Sequence, residues 1–244
     1  MSRSLWLAAL LAAVSARADV ASGDAALRNF DLEAAILAFR QAAHSNYEAT
    51  WKLARALVDK GTLTPNRAEQ KQLYIEAESI AREAIRLNPA DSKGHAYLAI
   101  ALGKLALYEG GKRKVELSKE VKTEAEKALS FNPDEDAAHH VLGVWNREMT
   151  ELNFVLRKFA EFLYGKFPTA SLDAALVHLR RATELAPNVV AHRVELGVTL
   201  ASARKWPESK TELEKALAMP KSWVTDDSYR EIARKCLTAH QRRS

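Results

Sequence analysis

Four stretches of this chain end in the same way, and that recurrence restricts the possible fold more than any other feature. They read Glu83-Ala84-Ile85-Arg86-Leu87-Asn88-Pro89, Glu126-Lys127-Ala128-Leu129-Ser130-Phe131-Asn132-Pro133, Arg181-Ala182-Thr183-Glu184-Leu185-Ala186-Pro187 and Glu214-Lys215-Ala216-Leu217-Ala218-Met219-Pro220. Each carries an alanine four or five residues before a proline. Proline lacks an N–H and disfavours helical geometry in the residue before it, so each run reads as the end of a helix. Self-similarity of this kind marks stacked supersecondary units. The composition suits helices that bury a core: only 9 Gly and 7 Pro, 48% hydrophobic and 27% charged residues.

After each internal proline a short polar turn leads into the first helix of the next hairpin. Asp91 or Ser92 is expected to cap the helix carrying His95-Ala96-Tyr97-Leu98. Asp134 or Asp136 would cap the one with His139-His140-Val141-Leu142-Gly143, and Asn188 the one with Arg193-Val194-Glu195-Leu196-Gly197. Gly143 and Gly197 sit beside a leucine on first helices, and Ala84, Ala128, Ala182 and Ala216 sit late on second helices. Small side chains there let paired helices approach closely. This is the tetratricopeptide pattern, and the last unit fits it best, with 33 residues from Pro187 to Pro220.

The expected fold is therefore all-α: a tetratricopeptide-like solenoid of helical hairpins in one domain, 19–244. Its units are about 19–46, 47–89, 92–133, 136–187 and 190–220, with a capping helix at 226–240. The first unit is degenerate, with Ala35, Phe39 and Ala42 in second-helix positions. The spacing is uneven: Pro89 to Pro133 is 44 residues and Pro133 to Pro187 is 54. The third and fourth units thus carry insertions, which include Tyr108 to Lys114 and Leu152 to Pro168. Insertions in a solenoid tend to lie on one face and to carry binding function.

Residues 1–18 read as a signal peptide rather than as part of the fold. Arg3 precedes an apolar run from Leu5 to Val14, and Ala16-Arg17-Ala18 is a small-x-small cleavage pattern, so the cut is expected between Ala18 and Asp19. About ten apolar residues are too few to span a bilayer, which takes roughly twenty. The expected location is periplasmic or secreted, the alternative being a cytoplasmic or mitochondria-associated protein. The formal net charge of +5 includes Arg3 and Arg17. What remains is too mild for a nucleic-acid-binding profile. The single cysteine, Cys236, has no partner for an intrachain disulfide.

No enzyme motif is present. Gly110-Gly111-Lys112-Arg113 lacks the Lys-Ser/Thr ending of a phosphate loop, and there is neither a Gly-x-Ser-x-Gly elbow nor a His-Glu-x-x-His pair. The expectation is a non-enzymatic scaffold with no cofactor, no metal site and no catalytic residue. First helices line the concave face of such a solenoid, and His95, His139 and Arg193 hold equivalent positions on successive ones. With Tyr97, Trp145 and Met149 they are the candidate groove residues for a protein or peptide partner. In the fourth unit Leu152, Val155, Leu156, Phe159, Phe162 and Leu163 recur at three- and four-residue steps. Leu152, Val155, Phe159 and Phe162 would wall an apolar pocket, which makes a lipid or other apolar small molecule the alternative ligand. The exposed cluster Lys112-Arg113-Lys114 suits an anionic lipid or an acidic partner. A monomer is expected.

Three segments also resemble the regulator of microtubule dynamics family. They are Trp51-Lys52-Leu53-Ala54-Arg55-Ala56, Tyr108-Glu109-Gly110, and Ala138 to Trp145 followed by the aromatic insertion and Phe167-Pro168-Thr169-Ala170-Ser171-Leu172-Asp173-Ala174-Ala175-Leu176. The similarity runs over roughly residues 47–220, with insertions at matching places. It implies a helical tetratricopeptide-like fold, microtubule association for some members and phospholipid in the helical cavity of one. With its leader, this chain resembles an exported bacterial relative.

Overall fold

The computed structural model describes residues 19–43, 45–164 and 169–241, and among them every regular element is a helix. The leader segment 1–18, with Ala18, lies outside the described residues, as do Phe167 and Pro168. Helix α1 covers residues 19–28. It is followed by α2 (Leu32–Ala42), α3 (Tyr47–Leu63), α4 (Arg67–Leu87), α5 (Ser92–Ala106), α6 (Gly111–Phe131), α7 (Asp136–Thr150), α8 (Phe154–Tyr164), α9 (Leu172–Leu185), α10 (Val190–Ser202), α11 (Trp206–Ala218) and α12 (Asp226–Gln241).

The hairpins are α3 with α4, α5 with α6, α7 with α9 and α10 with α11. First helices also touch one another in sequence, α3 with α5, α5 with α7 and α7 with α10, forming an inner layer. Helices α4, α6, α9 and α11 stop at Leu87, Phe131, Leu185 and Ala218, each two residues before its proline. The alanines of the recurring endings, Ala84, Ala128, Ala182 and Ala216, are all fully buried. Gly143 and Gly197 explain the close hairpins. A Cβ on Gly197 would lie 2.6 Å from Leu213 Cγ on α11, and one on Gly143 would lie 2.9 Å from Leu179 Cδ2 on α9. Any larger residue would force the paired helices apart.

Helix starts follow the sequence in part. Asp91 accepts from Lys93 N at α5, and Asn46, Asn66 and Ser171 cap α3, α4 and α9 in the same way. At α7 neither Asp134 nor Asp136 is the cap: the position belongs to Glu135, whose side chain makes no cap bond. That carboxylate, 1% exposed, is taken by Ser92 Oγ at 2.7 Å and Lys93 Nζ at 2.7 Å, tying the start of α7 to the start of α5. At α10 the N-cap is Val189 rather than Asn188. The Asn188 carbonyl instead accepts from Ser222 Oγ.

The extra length is absorbed in two ways. In the third unit Gly111 to Lys114 open α6 itself, so the hairpin has a long second helix of 21 residues. In the fourth, α8 is a separate helix that leaves the α7–α9 pair intact and packs on α6. Helix α12 lies on α10 and α11, with Ala233 buried against Leu213 and Ala216, as a cap should. The segment before it does something the repeat pattern does not contain. Trp223 Nε1 donates to Asp59 Oδ2 of α3 at 2.8 Å, Val224 enters the main core, and Lys221 lies over the Phe30 ring. The far end of the solenoid is thereby tied back to its beginning.

Candidate binding chamber

The inner layer and the returning segment enclose a cavity of about 520 Å³. Its walls come from α3, α5, α6, α7 and α10, and residues 222–232 form its remaining side. The apolar part includes Val58, Ile100, Val115, Val121, Val144 and Leu152. Four aromatic rings line it: Tyr97 of α5, which Trp51 supports from behind in a stack at 5.5 Å, Trp145 of α7, Trp223 of the returning segment and Tyr229 of α12. Trp145 is held by hydrogen bonds from its indole N–H to Ser118 O and Oγ, both at 2.9 Å.

Charged groups penetrate this lining in organised sets. His192 Nε2 lies 2.9 Å from Asp136 Oδ2, and His192 Nδ1 lies 2.9 Å from His140 Nδ1. One tautomer assignment satisfies the chain: His192 donates from Nε2 to the carboxylate and accepts at Nδ1 from His140. Burial and the neighbouring His192 hold the His140 ring well below the usual imidazole range. Burial works against Asp136 as an anion, but the bond from His192 and its charge outweigh that and lower its pKa. Burial pushes the Asp59 carboxyl up to about 6, against the pull of Arg55 and of the Trp223 hydrogen bond. Arg147 bonds Glu195 Oε2 at 2.6 Å and Thr199 Oγ1 at 3.1 Å. The Arg55 guanidinium stands 3.7 Å from the Trp223 ring centre, a cation–π contact that helps hold the returning segment down.

The structure divides the groove residues expected from sequence. Tyr97, Trp145, Met149 and Leu152 line the chamber. His95, His139 and Arg193 turn away from it. His95 is fully buried, with Nδ1 2.6 Å from Glu124 Oε2 of α6 and its other ring nitrogen 3.2 Å from Pro89 O. His139 meets His178 of α9 at 3.0 Å and the Pro133 carbonyl at 2.9 Å. Arg193 pairs with Glu212 of α11 at 2.6 Å. Each therefore bonds the second helix of its own hairpin, because it lies about 200° around its helix from a chamber-lining residue two positions away. Val155 and Phe162 of the expected wall are 61% and 78% exposed. Helix α8 instead turns Leu156 and the fully buried Ala160 to the core. The Phe159 side chain lies outside the described residues.

The chamber's charged residues Arg55, Asp59, Lys104, Asp136 and His192 were not among the sequence candidates. A signal for two of them was present: His192 stands one position before Arg193, and Asp136 three positions before His139. For Asp59 and Trp223, 164 residues apart, no local pattern announces the contact.

Among the described residues no helix is long and apolar enough to cross a membrane, and no group of three or more His, Cys, Asp or Glu side chains is arranged to hold a metal ion.

Comparison with known proteins agrees with this architecture. A thermophilic TPR protein of Thermus thermophilus superposes with a TM-score of 0.64 at 18% identity, over 91% of this chain and 99% of that one. Human regulator of microtubule dynamics protein 1 is 32% identical over 139 residues, which are 57% of this chain and 44% of the human protein. The rat protein 1 is 28% identical over 190 residues, 77% of this chain and 61% of the relative. Protein 3 of Xenopus laevis is 31% identical over 140 residues, 57% of this chain and 30% of that protein. The chain thus spans less than half the length of several relatives that it matches. The sequence model of regulator of microtubule dynamics proteins 1-3 matches residues 14–241, and the chain belongs to that family.

Proposed function

We propose that this protein is a non-catalytic, tetratricopeptide-like binding module that takes an apolar small molecule into the chamber. The observation that carries this reading is the returning segment. The inner surface that a helical solenoid offers to an extended peptide is here covered by the chain's own Trp223, Tyr229 and Ile232. What is left is a partly enclosed space of about 520 Å³, within the ~300–1,000 Å³ typical of small-molecule sites. Its test uses Gly103, a chamber-lining glycine whose added Cβ would meet only Val121 Cγ2, at 4.0 Å. Gly103→Leu should fill the space without unfolding the helix. A neutral fluorescent probe, N-phenyl-1-naphthylamine, should bind the full chain at one per molecule and lose that binding in Gly103→Leu. Binding unaffected by the substitution would place the probe elsewhere and end this reading.

A second reading, a scaffold for a protein partner, rests on α8. Phe154 and Phe162 are 73% and 78% exposed, and Val155 shares their face. Exposed apolar clusters of this kind mark interaction surfaces. The relatives' names make microtubules a partner to test, by co-sedimentation of the full chain and of a Phe154→Ser/Phe162→Ser variant. The proposal for location is export with cleavage before Asp19, and Edman sequencing of the protein from its native cells should begin at that residue.

A further inference from the structure

We infer that the seam between α7 and α10 is an acid-released latch, at which residues 190–241 swing away from the rest of the solenoid when the His140–His192 pair takes up protons. This movement involves no ligand, so it stands apart from the chamber reading above.

At the earlier seams neighbouring first helices meet partly through apolar groups. Trp51 of α3 stacks on Tyr97 of α5, and Ala96 of α5 is buried with Ala137 and Ala138 of α7. Between α7 and α10 the bonds form a polar ladder. His192 reaches Asp136 and His140, each at 2.9 Å. Arg147 donates to Glu195 at 2.6 Å and to Thr199 at 3.1 Å, and Ser202 donates to Glu151 at 2.8 Å. On α10 positions 192, 195, 199 and 202 recur at three- and four-residue steps, so they share one face. The buried apolar residues divide at the same place. The main core takes in Val141, Leu142, Trp145 and Met149 of α7 but, among the described residues, none of α10. Val190 and Val194 belong to a cluster with α11 and α12, and Leu196 and Leu200 to one with Leu176 and Leu179 of α9. Residues 190–241 thus carry a core of their own. The α9–α10 leucines join it on the outer side, and the Trp223–Asp59 bond tethers it to α3. Apolar contacts tolerate a small rotation, whereas directed hydrogen bonds weaken steeply when misaligned. The leucines therefore suit a hinge and the ladder a latch.

The histidine pair holds a limited number of protons. When it is neutral, His140 donates to His192, which donates to Asp136. One extra proton fits: an imidazolium at His192 donates to Asp136 and to a His140 in its other tautomer. A second sets two N–H groups against each other, with two cations 4.9 Å apart between ring centres, and the bond is lost. Burial, His192, Lys104 of α5 and Arg147 of α7 oppose a charge on His140, and Asp136 acts the other way. Arg55 of α3 and Lys93 of α5 act on Asp136 and keep it ionised. Glu195 of α10 and Asp226 and Tyr229 of α12 line the same space. Elements α6 and α9 present Lys122, Glu126 and His178 around His139, on the other side of α7, and α11 presents Glu212 to Arg193. The closed seam resists a proton that an opened His140 takes at its ordinary value of 6.5, so a fall in pH below that value favours the opened form. Asp59 has the opposite sign, but it belongs to the tether on α3 and not to the ladder.

Pulsed electron spin resonance on the full chain reads the movement, with labels at exposed Lys127→Cys of α6 and Lys210→Cys of α11 and with Cys236→Ser removing the native thiol. The distance between labels should change by more than about 2 Å between about pH 7.5 and about pH 5 and return on neutralisation. His140→Asn keeps a donor for His192 and takes up no proton, so it should hold the neutral distance in acid. His192→Gln, which keeps a donor for Asp136, should do the same and serves if His140→Asn does not fold. His178→Asn, on the other side of α7, should leave the change in place. Circular dichroism at both pH values confirms that each labelled protein is folded. No change in the parent, a change that survives in the folded His140 or His192 variant, or one abolished by His178→Asn overturns the latch.

Discussion

The two faces of the inner helices carry the same residue types and use them in opposite ways. On the side turned toward the second helices, His95 meets Glu124, His139 meets His178 and Arg193 meets Glu212. Each pair closes a single hairpin. On the chamber side, Asp136–His192 joins α7 to α10, and Asp59–Trp223 joins α3 to the far end of the chain. Polar groups satisfied within one supersecondary unit hold that unit together; those that bridge units bear on what the whole assembly can hold. Substitutions on the two faces should therefore separate stability from binding.

The largest effect is expected on the outer-facing side. His95 is fully buried, bonds Glu124 and stacks near the Phe131 ring at 5.5 Å. His95→Ala removes the ring and leaves the Glu124 carboxylate and the Pro89 carbonyl without their partner. Loss of a buried, charge-assisted network together with a cavity costs about 3 kcal/mol. Urea unfolding should show that loss, while the affinity for N-phenyl-1-naphthylamine in the folded protein stays within about twofold of wild type. A large change in affinity with little loss of stability would mean the two faces are not independent.

Asp59 offers the matching measurement on the chamber side. Its folded pKa of about 6 lies above the ordinary 3.8, so the folded chain keeps this proton longer than the unfolded one. The stability contributed by this group therefore falls as pH rises from about 4 to about 6 and is level above that. A shift of this size corresponds to on the order of 3 kcal/mol in full, most of it lost between about pH 4 and pH 7. Buried His140 has the opposite sign: held neutral when folded, it costs stability as pH falls below 6.5. Asp59→Asn keeps an oxygen to accept from Trp223 and cannot ionise, while His140 is common to both proteins. The stability difference, variant minus wild type, should rise by about 2 kcal/mol between about pH 4 and pH 7 in chemical denaturation. A flat difference would show that burial does not perturb this carboxyl.

This division also explains which parts could be read from the sequence. Pro89, Pro133, Pro187 and Pro220, with Gly143 and Gly197, act through their nearest turns, and such local rules place helices reliably. Tyr97, Trp145 and Met149 follow from helical periodicity once the inner layer is known. His95, His139 and Arg193 did not follow, because equivalence in a repeat identifies a shared position without saying which of two faces it occupies. Glu135 displaced the expected caps of α7 because a buried carboxylate bonded to Ser92 and Lys93 depends on how two hairpins stack. The closure by Trp223 lies furthest from any local rule. A tryptophan shortly after the last repeat proline reads as part of a linker, and only the curvature of the whole solenoid brings it to Asp59.

Helix α8 presents a third situation, a face with no partner among the described residues. Leu156 and Ala160 bury one side, and Phe154, Val155 and Phe162 cover the opposite side. Around a helix, 154, 158 and 162 follow one another at steps of four, so Lys158, paired with Glu161, lies between the two phenylalanines. Groups this exposed lose little contact when truncated. Phe154→Ser/Phe162→Ser should change the unfolding free energy by no more than about 0.5 kcal/mol. It should leave the chamber's affinity for the probe unchanged and reduce any self-association seen by sedimentation at high concentration. A loss of several kcal/mol would instead show that these rings pack against the chain's own residues, and α8 would join the first face of the comparison.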